Sequence, residues 1–220
     1  MRVLLLADDE ERFAAAFEAL SRAGHEVVSC HEPGSDAWPC AGIEGQCPVD
    51  DGIDVTVTLR HGGEPRRATE DGVACAVRHR IPLVVAGDPT GHPFGRWAAA
   101  EVAGAGTKLV ETVEAVGAAP SSELSALATA AARTAARQLG LEGAPDPHHP
   151  GRDVTTPSGD HLEPFEAEVF RQRRNFRVVV RVPTSVSEQH ATAVAERAWS
   201  AVRQALPDAA TIDVTAVRAT

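Results

Sequence analysis

The chain has 220 residues, enough to bury a substantial core and to form two domains, and its formal net charge of -10 argues against nucleic acid or an anionic membrane as the main partner. No apolar run approaches the length of a membrane span and no signal sequence opens the chain, so a cytoplasmic protein is expected. Of the 21 basic residues only Lys108 is a lysine, tyrosine is absent, and alanine, glycine and proline are plentiful, as in a high-GC bacterial genome; arginine is therefore no special sign of phosphate binding.

Residues 3–7 are uniformly apolar and run straight into Asp8 and Asp9. A run without polar alternation reads as a central strand of a parallel sheet covered on both faces. Asp8 or Asp9 can cap the helix that follows, in which Phe13, Phe17 and Leu20 recur at i, i+4 and i+7, and Gly24 ends it. A second strand is expected over 25–30. The segment 31–52 carries Pro33, Gly34, Pro39, Gly42, Gly45 and Pro48 without periodicity, which makes it a long loop where a compact α/β unit would have a helix or a short turn. A third strand follows over 53–59. Thr69 then caps a helix over 70–79, with Val73, Cys75, Ala76 and Val77 available to pack on the sheet. Residues 81–86 form a fourth strand, 87–95 a turn-rich loop, 96–103 a helix, and 107–110 a short fifth strand. Strands alternating with helices imply crossover connections and a parallel sheet.

Ser121 or Ser122 caps a long alanine-rich helix to Leu139, with Gly140 as its stop, and residues 142–151 are a proline-rich linker. Beyond it, 165–171 and 176–182 should form a hairpin. Ser185 and Glu188 have the spacing of a capping box, opening a helix to about Leu206 in which Val186, Val194, Ala198 and Val202 share a side. Residues 211–217 alternate as a final strand. The fold class expected is α/β: a domain over 1–140 that includes the alanine-rich helix, a linker over 141–153, and a small ββαβ domain over 154–220 with an antiparallel-type sheet. Homodimerisation through the alanine-rich helix or the C-terminal sheet is expected, with a further protein partner open.

The element order of the first domain, with its acid pair after strand one, resembles the receiver domain of two-component response regulators over roughly residues 1–117. The resemblance implies a flavodoxin- or receiver-like sheet in which Asp8 and Asp9 hold Mg²⁺ beside a phosphorylated aspartate, since several oxygen donors are needed around such an ion. The other positions depart from the family. Thr58 or Leu59 stands where the acceptor aspartate belongs, Ala86-Gly87 replaces the switch Ser/Thr, and Glu111 or Thr112 replaces the lysine. What the resemblance then implies is at most a degenerate receiver, not phosphorylated on aspartate and expected to regulate by binding rather than by catalysis. The simpler account of Asp8 and Asp9, that they cap a helix and favour its dipole, stays open. The C-terminal ββαβ pattern is similar to parts of the alkaline-shock stress proteins and of the cytoplasmic domain of cation-efflux transporters, which implies association rather than chemistry.

Cys30, Cys40, Cys47 and Cys75 follow the spacing C-x9-C-x6-C-x27-C, which is no standard zinc or iron-sulfur pattern. Three readings stand: unconnected thiols, a Cys40–Cys47 disulfide, or a redox or metal centre holding zinc or an iron-sulfur cluster. His79 lies four residues after Cys75 and shares its helix face, the minimal geometry of an activated thiolate. In the loop after strand four, at the sheet edge where ligands bind in such folds, Asp88 and His92 are candidate ligand contacts. That loop lacks a glycine-rich nucleotide fingerprint. His148 and His149 read as solvated, and Arg171, Arg173, Arg174 and Arg177 as charges that protect an exposed strand edge.

Overall fold

The structure, a computed structural model, describes residues 1–7, 9–31, 40–60, 70–88, 92–141 and 165–218. The chain divides into two compact units, Met1–Ala119 with Arg171–Arg174, and Pro120–Phe170 with Asn175–Thr220.

The first unit is a five-stranded sheet with helices on both faces. Its strands are β1 (Arg2–Ala7), β2 (Glu26–Val28), β3 (Val55–Arg60), β4 (Leu83–Gly87) and β5 (Ala98–Val102), in the order β2-β1-β3-β4-β5, all parallel. Its helices are α1 (Glu10–Arg22), α2 (Asp71–Arg78) and α3 (Thr107–Ala118). Because successive strand side chains point to opposite faces, the apolar runs feed two cores. Val3 and Leu5, Val55 and Val57, and Val84 and Ala86 meet Ala16 and Leu20 of α1 and Leu109 and Val113 of α3. Leu4 and Leu6, with Leu83 and Val85, meet Val73 and Ala76 of α2 on the other side. There the segment between β2 and β3 supplies Val49 and Ile53 and a 3-10 turn, Ala41–Glu44. Phe17, expected to be buried, is 42% exposed and stacks on Phe13 at 5.9 Å.

One stretch differs from expectation. Residues 96–103 hold β5 rather than a helix, and 107–110 begin α3 rather than forming a strand. The alanines have high helix propensity, but pairing with β4 overrides it, and Ala98, Ala100 and Val102 turn inward while Ala99 and Glu101 turn out.

The second unit contains α4 (Ser122–Gln138), β6 (Ala167–Gln172, apart from its last two residues), β7 (Asn175–Val182), α5 (Glu188–Ala205) and β8 (Thr211–Arg218), with the sheet order β6-β7-β8. The alanine-rich helix therefore belongs to this unit and not to the first, and the division falls at Ala119/Pro120 rather than near residue 140. Ala128, Ala132, Ala135 and Ala136 share one core with Ala191, Val194, Ala198 and Val202 of α5 and with Val178 and Val180 of β7. Within the proposed linker and the start of the following domain, residues 142–164 lie outside the described residues.

The sheet of this unit is not antiparallel throughout. β8 pairs with β7 in parallel, because the 18-residue α5 returns the chain to the end of the sheet where β7 began. α5 is capped by Ser187, whose hydroxyl accepts from His190 N, not by Ser185. At the β6 edge, α4 supplies hydrogen-bond partners from its side chains: Ser125 Oγ accepts from Val169 N at 2.9 Å, and Thr129 Oγ1 accepts from Ala167 N at 2.9 Å. One sheet edge is thereby covered, and β8 forms the other, with most of its residues exposed.

Candidate functional site

Parallel strands bring their carboxyl ends to one rim of the first unit, and the register places Ala7 beside Leu59 and Arg60 beside Gly87. Asp9 follows β1 as the N-cap of α1: its Oδ1 accepts from Arg12 N at 2.8 Å. Helix capping thus accounts for one of the two acids, while Asp8 lies outside the described residues.

β3 is buried along its whole length and ends in Arg60. The guanidinium Nη1 donates to both oxygens of Glu70, at 2.6 and 2.8 Å, immediately before α2 begins. Gly87, at φ +103°, ends β4 directly against the Arg60 carbonyl, which accepts from Asp88 N at 3.1 Å. The side chain of Asp88 is exposed.

His92 is half-buried beside these groups. Its Nδ1 accepts from Phe94 N at 3.1 Å, and its ring lies 5.5 Å from that of Phe94. With Nδ1 an acceptor, the neutral ring carries its proton on Nε2, which is buried and without a hydrogen-bond partner among the described residues. Burial, and then the positive charge of Arg60, lower the His92 pKa below its ordinary 6.5, against smaller opposite effects of Glu70 and Glu101. The rim therefore holds an imidazole whose charged form is disfavoured, next to a buried ion pair. Sequence reading had placed Asp88 and His92 here but had not singled out Arg60 and Glu70. The signal was an arginine closing an otherwise uniformly buried strand.

The thiols lie on the α2 face of the same unit. Cys30, two residues past β2, is buried in the core with Leu4, Leu6 and Val73, and Cys47 packs at its margin. Cys40 and Cys47 flank the 3-10 turn Ala41–Glu44, where Gly42 N donates to Cys40 Sγ at 3.4 Å. A β-carbon at Gly42 would stand 3.5 Å from Cys40 Sγ and 3.7 Å from Cys47 Sγ; one at Gly72, in the first turn of α2, would stand 3.4 Å from Cys30 Sγ. Burial, and after it the charges of Cys47, Cys40 and Cys75, push the Cys30 thiol up to about 12. Cys75 is raised by burial first, then by Cys47 and Cys40, with Arg78 acting the other way. A raised thiol is the opposite of an activated one, which counts against the nucleophilic pair that the spacing of Cys75 and His79 suggested. All four cysteines are free.

Among the described residues, no group of three or more His, Cys, Asp or Glu side chains is arranged to hold a metal ion, and no helix is long and apolar enough to cross a membrane. No protein-family model and no curated protein sequence matches the chain.

Proposed function

We propose that this chain is a bacterial cytoplasmic regulatory protein that acts by binding. In this reading its first unit is a degenerate receiver- or flavodoxin-like domain that is never phosphorylated on aspartate, and its second unit mediates homodimerisation. The strand order β2-β1-β3-β4-β5 is the doubly wound order of receivers and flavodoxins, which supports the likeness. The single observation that carries the loss of phosphotransfer is Arg60. At the end of β3, where a receiver needs an aspartate, there is a cation neutralised by Glu70. A phosphoryl group has no acceptor there: Glu70 is paired with Arg60, and Asp9, after β1, is engaged in capping α1.

Dimerisation through the sheet is favoured over dimerisation through the alanine-rich helix. The small residues of α4 are occupied within their own unit, whereas β8 leaves a strand edge available for pairing. Free thiols suit a reducing cytoplasm.

The test is to add beryllofluoride with Mg²⁺ to the full chain while recording amide spectra and light scattering. The expected result is an unchanged spectrum and a dimer mass that does not depend on either addition. A saturable, Mg²⁺-dependent shift of amides at the ends of β1 and β3 would overturn the loss of phosphotransfer, and a monomer mass would overturn the dimer.

A further inference from the structure

We propose that Cys40 and Cys47 are a redox-reactive dithiol that closes reversibly to an intramolecular disulfide by exchange with a low-molecular-weight disulfide of the glutathione type. The inference stands apart from the receiver-like reading and does not depend on it.

The chain makes one tight turn between the two residues. Ile43 N donates to the Cys40 carbonyl at 2.9 Å and Gly45 N to the Gly42 carbonyl at 3.2 Å, through the 3-10 turn Ala41–Glu44. The three heavy atoms nearest to a β-carbon built at Gly42 all belong to these cysteines: Cys47 Cβ at 3.3 Å, Cys40 Sγ at 3.5 Å and Cys47 Sγ at 3.7 Å. Both sulfurs thus face one point, the point where any other residue would begin its side chain. The φ of Gly42 is not left-handed, so what this position uses is the missing side chain. Closure requires the sulfurs to come to about 2.05 Å. Both cysteines lie outside the sheet ladder, so that adjustment breaks no strand pairing.

The other two thiols are set apart from the exchange. Cys30 is buried in the core with Leu4 and Val73, and burial, followed by the charges of the other cysteines, pushes its thiol up to about 12. Cys75 is also raised, by burial first. Exchange proceeds through the thiolate, which makes both of them slow partners. Cys40 and Cys47 are only half-buried, so the account of cysteine as a small core hydrophobe suits Cys30 and leaves this pair unexplained.

The exchange balances in two steps. One thiolate of the pair attacks a sulfur of oxidised glutathione, forming a mixed disulfide and expelling a glutathione thiolate; the second attacks the mixed disulfide, forming the Cys40–Cys47 bond and expelling the other. The protein gives up two electrons and two protons, and oxidised glutathione becomes two molecules of reduced glutathione. In a reducing compartment such a bond is transient, which suits a sensor rather than a structural staple.

The test equilibrates the reduced full chain with oxidised and reduced glutathione over a series of ratios, traps the thiols by alkylation and maps the bonds. One bond per chain is expected, joining Cys40 to Cys47 and reopened by reduced glutathione, with Cys30 and Cys75 still alkylated. Half-conversion of the folded chain should need about tenfold less oxidised glutathione than that of the urea-unfolded chain, because the fold holds the two sulfurs together. Cys75→Ser should change neither result, and Cys47→Ser should leave glutathione attached at Cys40. Mapping of the unaltered chain decides the matter if a variant misfolds. No bond at any ratio, a bond that includes Cys30 or Cys75, a bond between two chains, or the same half-conversion ratio with and without urea would each overturn the proposal.

Discussion

Arg60 Nη1 bridges the two carboxylate oxygens of Glu70 at 2.6 and 2.8 Å while the two side chains are only 4% and 10% exposed. Removing both charges from water is costly, and their attraction offsets that cost only while both are present. Arg60→Met or Glu70→Gln alone should therefore destabilise the protein by about 3–5 kcal/mol, each breaking the buried pair from one side. The double variant Arg60→Met/Glu70→Met should recover most of that loss. Urea unfolding of the four proteins gives the coupling directly. Losses that simply add would mean that the two groups do not act as a pair.

Gly87 closes the other side of this arrangement. A β-carbon there would lie 2.2 Å from the Arg60 carbonyl oxygen, and φ is +103°, so Gly87→Ala meets both a clash with backbone and a left-handed conformation. Gly24 has φ +85° but nothing within 4 Å of the same position, which leaves conformation as the sole cost. Gly24→Ala should cost about 1 kcal/mol, and Gly87→Ala about 2–3 kcal/mol, the upper part of the range for stored backbone strain. Thermal melts of the two variants would show equal losses if the contact with Arg60 did not matter.

Asp9 distinguishes a helix cap from a metal ligand. Its carboxylate accepts from Arg12 N, a role that asparagine fills nearly as well and alanine does not. Asp9→Ala should lose about 1 kcal/mol and Asp9→Asn only a few tenths, with neither value changed by Mg²⁺. An Mg²⁺-dependent stabilisation of the unaltered chain that vanishes in Asp9→Asn would restore the ligand role expected from the receiver resemblance.

How far the sequence could be read follows from the kind of signal each element left. The runs 3–7 and 81–86 announced buried parallel strands because they are apolar on both faces, and β1 and β4 overlap them, each reaching one residue beyond. The stretch Ala98–Val102 was misread because alanine carries a helical preference, while the pairing that makes it a strand is a contact with β4, invisible in a local window. The alanine-rich helix was assigned to the wrong unit for a similar reason. Its small residues mark a close packing surface without naming the partner, which is α5. At the rim, Asp88 and His92 were found through a general rule about sheet edges. Arg60 was missed because the partner that makes it tolerable inside, Glu70, stands ten residues away in the sequence. The four cysteines were legible as residues, but that Cys30 and Cys47 meet in one core was not, because their segments carry no periodicity that would show it.

The last prediction concerns His92, whose imidazole faces the Arg60 cation and the Glu70 and Glu101 carboxylates. Burial and Arg60 outweigh the two acids, so the folded protein binds this proton less tightly than the unfolded chain does. The stability that follows is present above the ordinary value of 6.5 and is lost as pH falls below it through the lowered folded value. Between pH 7 and 5 the urea midpoint of the unaltered chain should fall more than that of His92→Gln, which has no proton to gain. In a titration followed by the imidazole resonances, the midpoint of His92 should lie below 6.5 and move lower still in Glu101→Gln, which removes a charge favouring the protonated ring. A midpoint at or above 6.5, or an upward shift in Glu101→Gln, would contradict the burial of His92 beside the Arg60–Glu70 pair.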